Sequence, residues 1–313
     1  MTPVDRPTEE PVPLPRSDVK VGFACNNRCT FCAQGEKRSG CGAIPAEELV
    51  GRIEQARAPE LGARGLVLTG GEPTLHRHIL AVVSAARRME YDPIQIQTNG
   101  RTLAYAHLVQ ALLKAGATEF SPSLHGSTAA IHDEQTRAPG SWAQSVEGIR
   151  NVVAARATVV TNTVVTRRNT SDLPNIVALL GSLGVRHAQL AFVHPVGTAA
   201  DRFDEVVPRL ADVVEPIRQA RERARSFGMR LVTEAVPYCF LRGMEELCVE
   251  ESIPATTVVD LDGRMADYSG WRVAEGKAHG DPCRECIDRT RCEGPWREYT
   301  ERFGWSEFET RRS

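Results

Sequence analysis

The chain has 313 residues, 42% of them hydrophobic, and a formal net charge of −2 with acids and bases interspersed. That length can bury a large core, the balanced charge leaves no electrostatic footprint for nucleic acid, and no apolar run approaches the roughly 20 residues that span a bilayer. The opening MTPVDRPTEEPVPLPR is Pro-rich and acidic without an apolar centre, which excludes a secretory signal; a cytoplasmic protein is expected, and its nine cysteines then point to metal or redox chemistry rather than disulfides.

Residues 1–16 read as an extended arm. Val19–Ala24 is a first strand that runs straight into a loop holding Cys25, Cys29 and Cys32. Pro45–Arg57 opens with Pro and paired Glu, a helix start. Gly65–Thr69 is a second strand, Ile79–Met89 a helix, and Ile94–Thr98 a third strand ending in Asn99-Gly100. Tyr105–Ala115 is helical and closed by Gly116; Glu119–Leu124, Trp142–Ala154 and Ala157–Val165 continue the alternation. Leu173–Leu183, His187–Val193 and the long helix Val207–Phe227 repeat it, and Met229–Thr233 is the last strand of the series. Such strand–helix units predict a parallel sheet with helices outside, doubly wound or barrel-like. Thereafter the rhythm breaks: Thr256–Asp260 and Arg264–Tyr268 flank Leu261-Asp262-Gly263, a hairpin signal because Asp-Gly suits tight primed turns. A boundary near residue 235 separates 17–234 from 235–313, a segment too small for a good core of its own and in need of a metal staple.

Two motifs carry chemistry. Cys25-Asn-Asn-Arg-Cys29-Thr-Phe-Cys32 is a C-x3-C-x2-C run with an aromatic before its last cysteine. Three thiolates on one loop can hold three irons of a four-iron cluster and leave the fourth open; a zinc knuckle, the alternative, lacks its fourth ligand. Gly70-Gly71-Glu72-Pro73 ends the second strand, with two glycines that permit close backbone approach and an acceptor in Glu72. Together they resemble the radical S-adenosylmethionine (SAM) superfamily. The resemblance implies an α/β partial (β/α)6 barrel, with strand C-termini lining the site as in full barrels. It also implies a [4Fe–4S] cluster on Cys25, Cys29 and Cys32 whose open iron chelates SAM, reductive cleavage to a 5′-deoxyadenosyl radical, and a flavodoxin- or ferredoxin-like electron donor. By family pattern Phe31 sits against the adenine, Gly70 to Pro73 bind the methionine amino group, Thr98, Asn99, Ser123 and Asn162 lie at strand ends near the cofactor, and the backbone at Phe192–Val193 meets the adenine. A polar residue that merely ends a strand is the alternative for each. His125, Arg137, His194, Glu234 and Tyr238 are the candidates for a substrate pocket, where Arg or His suits a polar substrate.

The C-terminal cysteines resemble the auxiliary-cluster domains called SPASM and twitch. Gly243-x4-Cys248 and Cys283-x2-Cys286-x5-Cys292 keep elements of the longer pattern, but Trp296 stands where that pattern has a further cysteine. Two auxiliary clusters need about eight ligands, and five cysteines remain outside the first motif and Cys41. One auxiliary [4Fe–4S] cluster is therefore expected on Cys283, Cys286, Cys292 and Cys239, with Cys248 the rival fourth ligand, Cys41 spare, and a structural zinc ion the alternative occupant. The expected reaction is hydrogen abstraction from a small molecule or peptide, assisted by the auxiliary cluster in a net oxidation or bond formation. The absence of a segment large enough for leader-peptide recognition favours a small molecule or a peptide delivered by another protein. Sulfur insertion from the auxiliary cluster is the alternative reaction, and a non-catalytic iron–sulfur or zinc scaffold the alternative of another class; methyl transfer has no support in an extra cobalamin domain.

Overall fold

The structure is a computed structural model that describes residues 14–35, 37, 44–57 and 62–312. Most of the expected N-terminal arm, and Cys41, lie outside the described residues. Seven parallel strands run in chain order: β1 (Arg16–Lys20), β2 (Gly65–Thr69), β3 (Ile94–Thr98), β4 (Glu119–Pro122), β5 (Thr158–Val165), β6 (His187–Phe192) and β7 (Arg230–Glu234). Between them lie α1 (Ala46–Ala56), α2 (Ile79–Arg88), α3 (Ala106–Ala115), α4 (Ala129–Thr136), α5 (Ser141–Ala154), α6 (Leu173–Ser182) and α7 (Leu210–Ser226). Two more strands, β8 (Thr256–Asp260) and β9 (Gly263–Met265), form a hairpin. The sheet order is β7-β6-β5-β4-β3-β2-β1-β8-β9, so the strands wrap an unclosed, partial barrel.

The outward faces of the strands hold the core. Val19, Leu66, Leu68, Ile94, Ile96 and Phe120 are buried against the apolar stripes of the helices, such as Leu49 and Ile53 of α1 and Val82 and Val83 of α2. The inward positions are polar. In β3 (IQIQT) and β6 (HAQLAF) every second residue, including Gln95, Gln97 and Gln189, is only half-buried. A strand covered on both faces is normally apolar throughout, so this alternation marks a wet lumen.

Several local expectations shift. The first strand begins at Arg16 and ends at Lys20 rather than covering Val19–Ala24, because pairing with β2 runs from Arg16↔Gly65 to Lys20↔Thr69 and Gly22 then turns away with φ 138°. α4 was not foreseen: AAIHDEQT has no apolar stripe to announce a helix. The second hairpin arm stops at Met265 instead of Tyr268, since the Asp267 carboxylate accepts from Gly270 N at 2.8 Å and winds Tyr268–Trp271 into a helical turn. The charged segment after Gly243 forms two 3-10 turns, Glu245–Leu247 and Glu250–Ser252. Val249 N between them donates to Thr233 O at 3.1 Å, which pins the segment to β7.

The hairpin is not a separate appendage. β8 pairs in parallel with β1, Arg16↔Thr256 through Val19↔Val259, so the boundary at residue 235 divides the chain but not the sheet.

Candidate active site

The cysteine loop is fastened on four sides. Beneath it, Gly71 N donates to Gly22 O and Glu72 N to Ala24 O, both at 2.8 Å. A Cβ on Gly71 would lie 2.4 Å from Ala24 O, and one on Gly70 (φ +124°) 2.4 Å from Gly22 O, so the paired glycines exist to let the end of β2 touch the segment that feeds the cysteines. From α4 come the carbonyls of Thr136 and Gln135, which accept from Arg28 N (2.8 Å) and Thr30 N (2.9 Å). From the loop after β6, Thr198 N donates to Cys32 O at 3.0 Å, and Gly197 approaches so closely that a Cβ would sit 2.5 Å from the same oxygen. From the loop after β3, Arg101 donates to Asn26 O and to Asn27 Oδ1, while Asn99 Nδ2 reaches Asn26 Oδ1 at 2.7 Å.

Cys25, Cys29 and Cys32 line one cavity of about 380 Å³ at the carboxyl ends of the strands. Phe31, Gly70, Gly71, Thr98 and Asn99 line it too, as do Ser123, His125, Asn162, Phe192, His194 and Glu234. Other expected residues stand away from it. The Glu72 carboxylate is buried and turned inward, accepting from Thr74 N (3.1 Å), Thr98 Oγ1 (2.7 Å) and Asn99 N (2.6 Å); burial raises its pKa against those hydrogen bonds. Pro73 is buried at the start of a short 3-10 turn. Val193 is buried and donates to Val165 O at 3.2 Å. Arg137 is an exposed left-handed residue at the end of α4, and Tyr238 lies at the C-terminal cysteines.

His125 is a fixed, uncharged donor. Its Nδ1 accepts from Val164 N at 3.3 Å, which leaves the proton on Nε2. Burial, together with neighbouring His132, holds its pKa well below the usual imidazole range. Its ring meets Phe31 edge-on at 4.7 Å. Asn162 Oδ1 is buried without a protein hydrogen-bond partner, the kind of orphan a ligand satisfies. His194 stacks on Trp296 at 3.8 Å, and Trp296 in turn donates to Phe192 O (3.4 Å) and carries buried Lys277 over its other neighbourhood, 4.1 Å from the ring centroid. Thus Trp296, from the C-terminal part of the chain, forms a wall of the main cavity. Arg101, Gly197, Trp296 and Tyr268 were not singled out as site residues: Arg101 and Gly197 act on the cysteine loop from afar in sequence, and Trp296 and Tyr268 reach the cavity from the C-terminal part of the chain.

The C-terminal cysteines gather separately. Cys239, Cys283, Cys286 and Cys292 line one small cavity with His279 and Tyr238. Cys248 instead lines an outer groove with Arg221 and Leu231. Burial pushes the Cys239 thiol up to about 12, reinforced by Cys292, Cys283 and Cys286, while Cys292 is raised to about 11, first by burial. Cys248 is likewise pushed up to about 12, first by burial and with Cys292 among the charges that raise it, so it is the lining of the two cavities that sets it apart from the other four. Among the described residues no three His, Cys, Asp or Glu side chains close on a point that would hold a single metal ion. Also among the described residues, no helix is long and apolar enough to cross a membrane.

Residues 19–180 match the Radical SAM superfamily profile. A "Probable GTP 3',8-cyclase" of Sulfurisphaera tokodaii is 30% identical over 233 residues, 70% of this chain and 72% of the relative. An "AdoMet-dependent heme synthase" of Oleidesulfovibrio alaskensis is 26% identical over 238 residues, 76% of this chain and 60% of the relative. Among solved structures, Streptococcus suis SuiB bound to S-adenosylmethionine superposes with a TM-score of 0.68 at 16% identity, covering 90% of this chain and 72% of that one. The protein anSMEcpe with bound AdoMet and Cp18Cys peptide superposes at 0.64 and 15% identity, covering 95% and 92%. These last two likenesses are of fold.

Proposed function

The chain belongs to the radical SAM superfamily, and from that premise we propose that this enzyme uses SAM to abstract hydrogen from a small-molecule or peptide substrate held in the barrel. Its C-terminal cysteines carry one auxiliary [4Fe–4S] cluster that assists a net oxidation or bond formation. The observation that carries this reading is a single cavity shared by Cys25, Cys29 and Cys32, the Gly70-Gly71 edge and the unpartnered Asn162 Oδ1. A [4Fe–4S] cluster with SAM supplies, when bound, the reducing electron and the hydrogen-abstracting group.

The chain's own residues hold and orient. Cys25, Cys29 and Cys32 are the three iron ligands, on a loop fixed by Arg101, Gly197 and the glycine pair. Glu72 acts through Asn99 and Thr98, positioning the cavity rim instead of touching the cofactor's amine. Asn162 and Ser123 offer polar partners at the end of the parallel bridge that joins them. His125, kept neutral, donates from Nε2, and Phe192 with Trp296 supplies the apolar side.

For the auxiliary cluster, four thiols around one cavity supply full ligation. A cluster with four protein ligands keeps no open position, which favours electron transfer over sulfur insertion. A flavodoxin- or ferredoxin-like protein is the electron donor. The names of relatives and fold neighbours attach GTP, heme and peptide chemistry to one architecture, so the substrate has to be argued from this chain's own lumen.

The test is anaerobic reconstitution with iron and sulfide. Cys25→Ala, Cys29→Ala and Cys32→Ala each abolish 5′-deoxyadenosine formation from SAM under reducing conditions while the barrel still folds. Undiminished 5′-deoxyadenosine from any of them defeats the proposal.

A further inference from the structure

The outer face around the first cysteine loop is short of carboxylates. Residues 73–89 and 93–118 include no Asp or Glu. Glu90 and Asp92, which separate the two runs, fall between the end of α2 and the start of β3, at the opposite end of the barrel from the cysteines. Glu72 is buried. On the flanks most acids are engaged: Glu48 of α1 pairs with Arg52 at 2.8 Å and Glu134 of α4 with Arg168 at 2.6 Å. Asp133 accepts from Gly140 N and Trp142 N, both at 2.7 Å. Glu47, at the start of α1, is exposed and borders the face on that side.

Cations and apolar side chains occupy this face. Arg28, Arg77 and Arg137 are exposed and Arg101 is half-buried, and among the described residues none of the four forms an ion pair. Arg28 belongs to the cysteine loop, and its backbone N–H donates to Thr136 O, next to Arg137. Arg101 grips the same loop through Asn26 O and Asn27 Oδ1. A bond between Thr74 and Thr102 joins the loop after β2, with Leu75 and Arg77, to the loop after β3, with Arg101 and Tyr105. Leu75, Leu80 and Tyr105 are 42%, 39% and 60% exposed. The loop after β3 also carries Asn99, whose Nδ2 lies 3.8 Å from Cys25 Sγ, so the patch and the cysteines meet on one loop. The rim of the C-terminal cysteines differs. Ile287 is exposed there, but Arg284, Arg291 and Arg312 are paired with Asp281, Asp288 and Glu285, which leaves Arg289.

We propose that the loops after β2 and β3, with Arg28 and Arg137, form the face on which a small acidic one-electron carrier protein docks to reduce the cluster on Cys25, Cys29 and Cys32. This rests on the radical reading of the site and adds to it the place and charge of the partner. Leu75, Leu80 and Tyr105 form the dry centre, and the unpaired arginines steer an acidic rim onto it. A patch of this extent suits the short encounters of redox partners, which bury less than about 1,200 Å². One electron passes from the reduced carrier to the oxidised cluster at each encounter, with no bond made or broken.

The probe is an acidic flavodoxin, photoreduced and mixed anaerobically with the reconstituted holoenzyme. The second-order rate of cluster reduction is read by absorbance, and dithionite, which needs no docking, is the parallel reductant. The Arg77 side chain lines neither the cysteine cavity nor the C-terminal one. Arg77→Glu slows reduction by flavodoxin at least about fivefold at low salt and keeps reduction by dithionite within about twofold, with an unchanged melting profile. Added salt narrows the difference. Arg289→Glu, on the rim of the C-terminal cysteines, changes neither rate. Equal flavodoxin rates in wild type and Arg77→Glu, an equal loss with dithionite, or a larger loss in Arg289→Glu overturns the proposal. So does single-stranded DNA that binds through Arg77 more tightly than flavodoxin. Should Arg77→Glu not fold, Arg77→Gln takes its place, with a loss of about twofold. Flavodoxin reduction that depends on Arg77, with no 5′-deoxyadenosine from SAM under either reductant, defeats the radical reading and leaves the docking face standing. 5′-Deoxyadenosine under both reductants without any dependence on Arg77 removes only the docking face.

Discussion

Gly71→Ala tests the construction of the site at its narrowest point. The new Cβ lies 2.4 Å from Ala24 O and 2.5 Å from the carbonyl carbon of Phe23, where carbon–oxygen contacts are comfortable at about 3.3–3.6 Å. Both neighbours are backbone, so the end of β2 and the feed to Cys25 must part by roughly 1 Å. Parting breaks the bonds Gly71 N to Gly22 O and Glu72 N to Ala24 O, each contributing about 1 kcal/mol net. Overpacking adds about 1–3 kcal/mol, for a total loss of about 3–5 kcal/mol, a large part of a typical domain's stability. Gly51→Ala is the control: it lies within α1 with nothing within 4 Å of its Cβ and gains up to about 1 kcal/mol of helix propensity. Anaerobic denaturant unfolding and iron content after reconstitution are the assays. A Gly71→Ala enzyme within about 1 kcal/mol of wild type, with its full iron complement, refutes the packing argument.

Reconstituted enzyme should hold about eight irons per chain, two cubanes of four; about four irons with stoichiometric zinc would assign the C-terminal thiols to a structural ion. Cys239→Ala makes the auxiliary cluster labile and lowers product formation while SAM cleavage continues, and Cys248→Ala does much less; the reverse ranking in iron content moves the fourth ligand to Cys248, and no loss in either revives sulfur insertion. Glu72→Ala deprives the buried N–H groups of Thr74 and Asn99 of their acceptor, at about 1–3 kcal/mol each, and weakens SAM binding more than it lowers iron, whereas Glu72→Gln still offers Asn99 an oxygen and loses less. Unchanged SAM affinity in Glu72→Ala removes this carboxylate from the support of the site.

Much of the barrel was legible because strands and helices announce themselves locally. Gly65–Thr69, Ile94–Thr98 and Thr256–Asp260 were read with the bounds they have. The cysteine spacing and the glycine pair are likewise local, and they fall on one cavity. What local reading missed depends on partners far along the chain. The inward turn of Glu72 is set by Asn99 and Thr98, and the role of Arg101 by Asn26 and Asn27. The reason for Gly70 and Gly71 was placed on a ligand, while the atoms they approach belong to Gly22, Phe23 and Ala24. The polar lumen was written in the alternation of IQIQT and HAQLAF, but its meaning appears only when seven strands turn those residues toward one axis.

The pairing of β1 with β8 sets an order of events during synthesis. β2 follows β1 promptly, but Thr256 reaches Arg16 only after nearly the whole barrel has emerged. Until then β1, whose continuation carries the three cysteines, presents a bare edge to any other extended chain, and contacts of such long sequence separation are slow to form. A protein cut after β7 would keep every residue of the first cysteine motif and yet expose that edge permanently, giving aggregation in place of a minimal enzyme. The C-terminal unit thus serves as a molecular selvedge, and iron delivery to the first loop is best timed after the hairpin has closed.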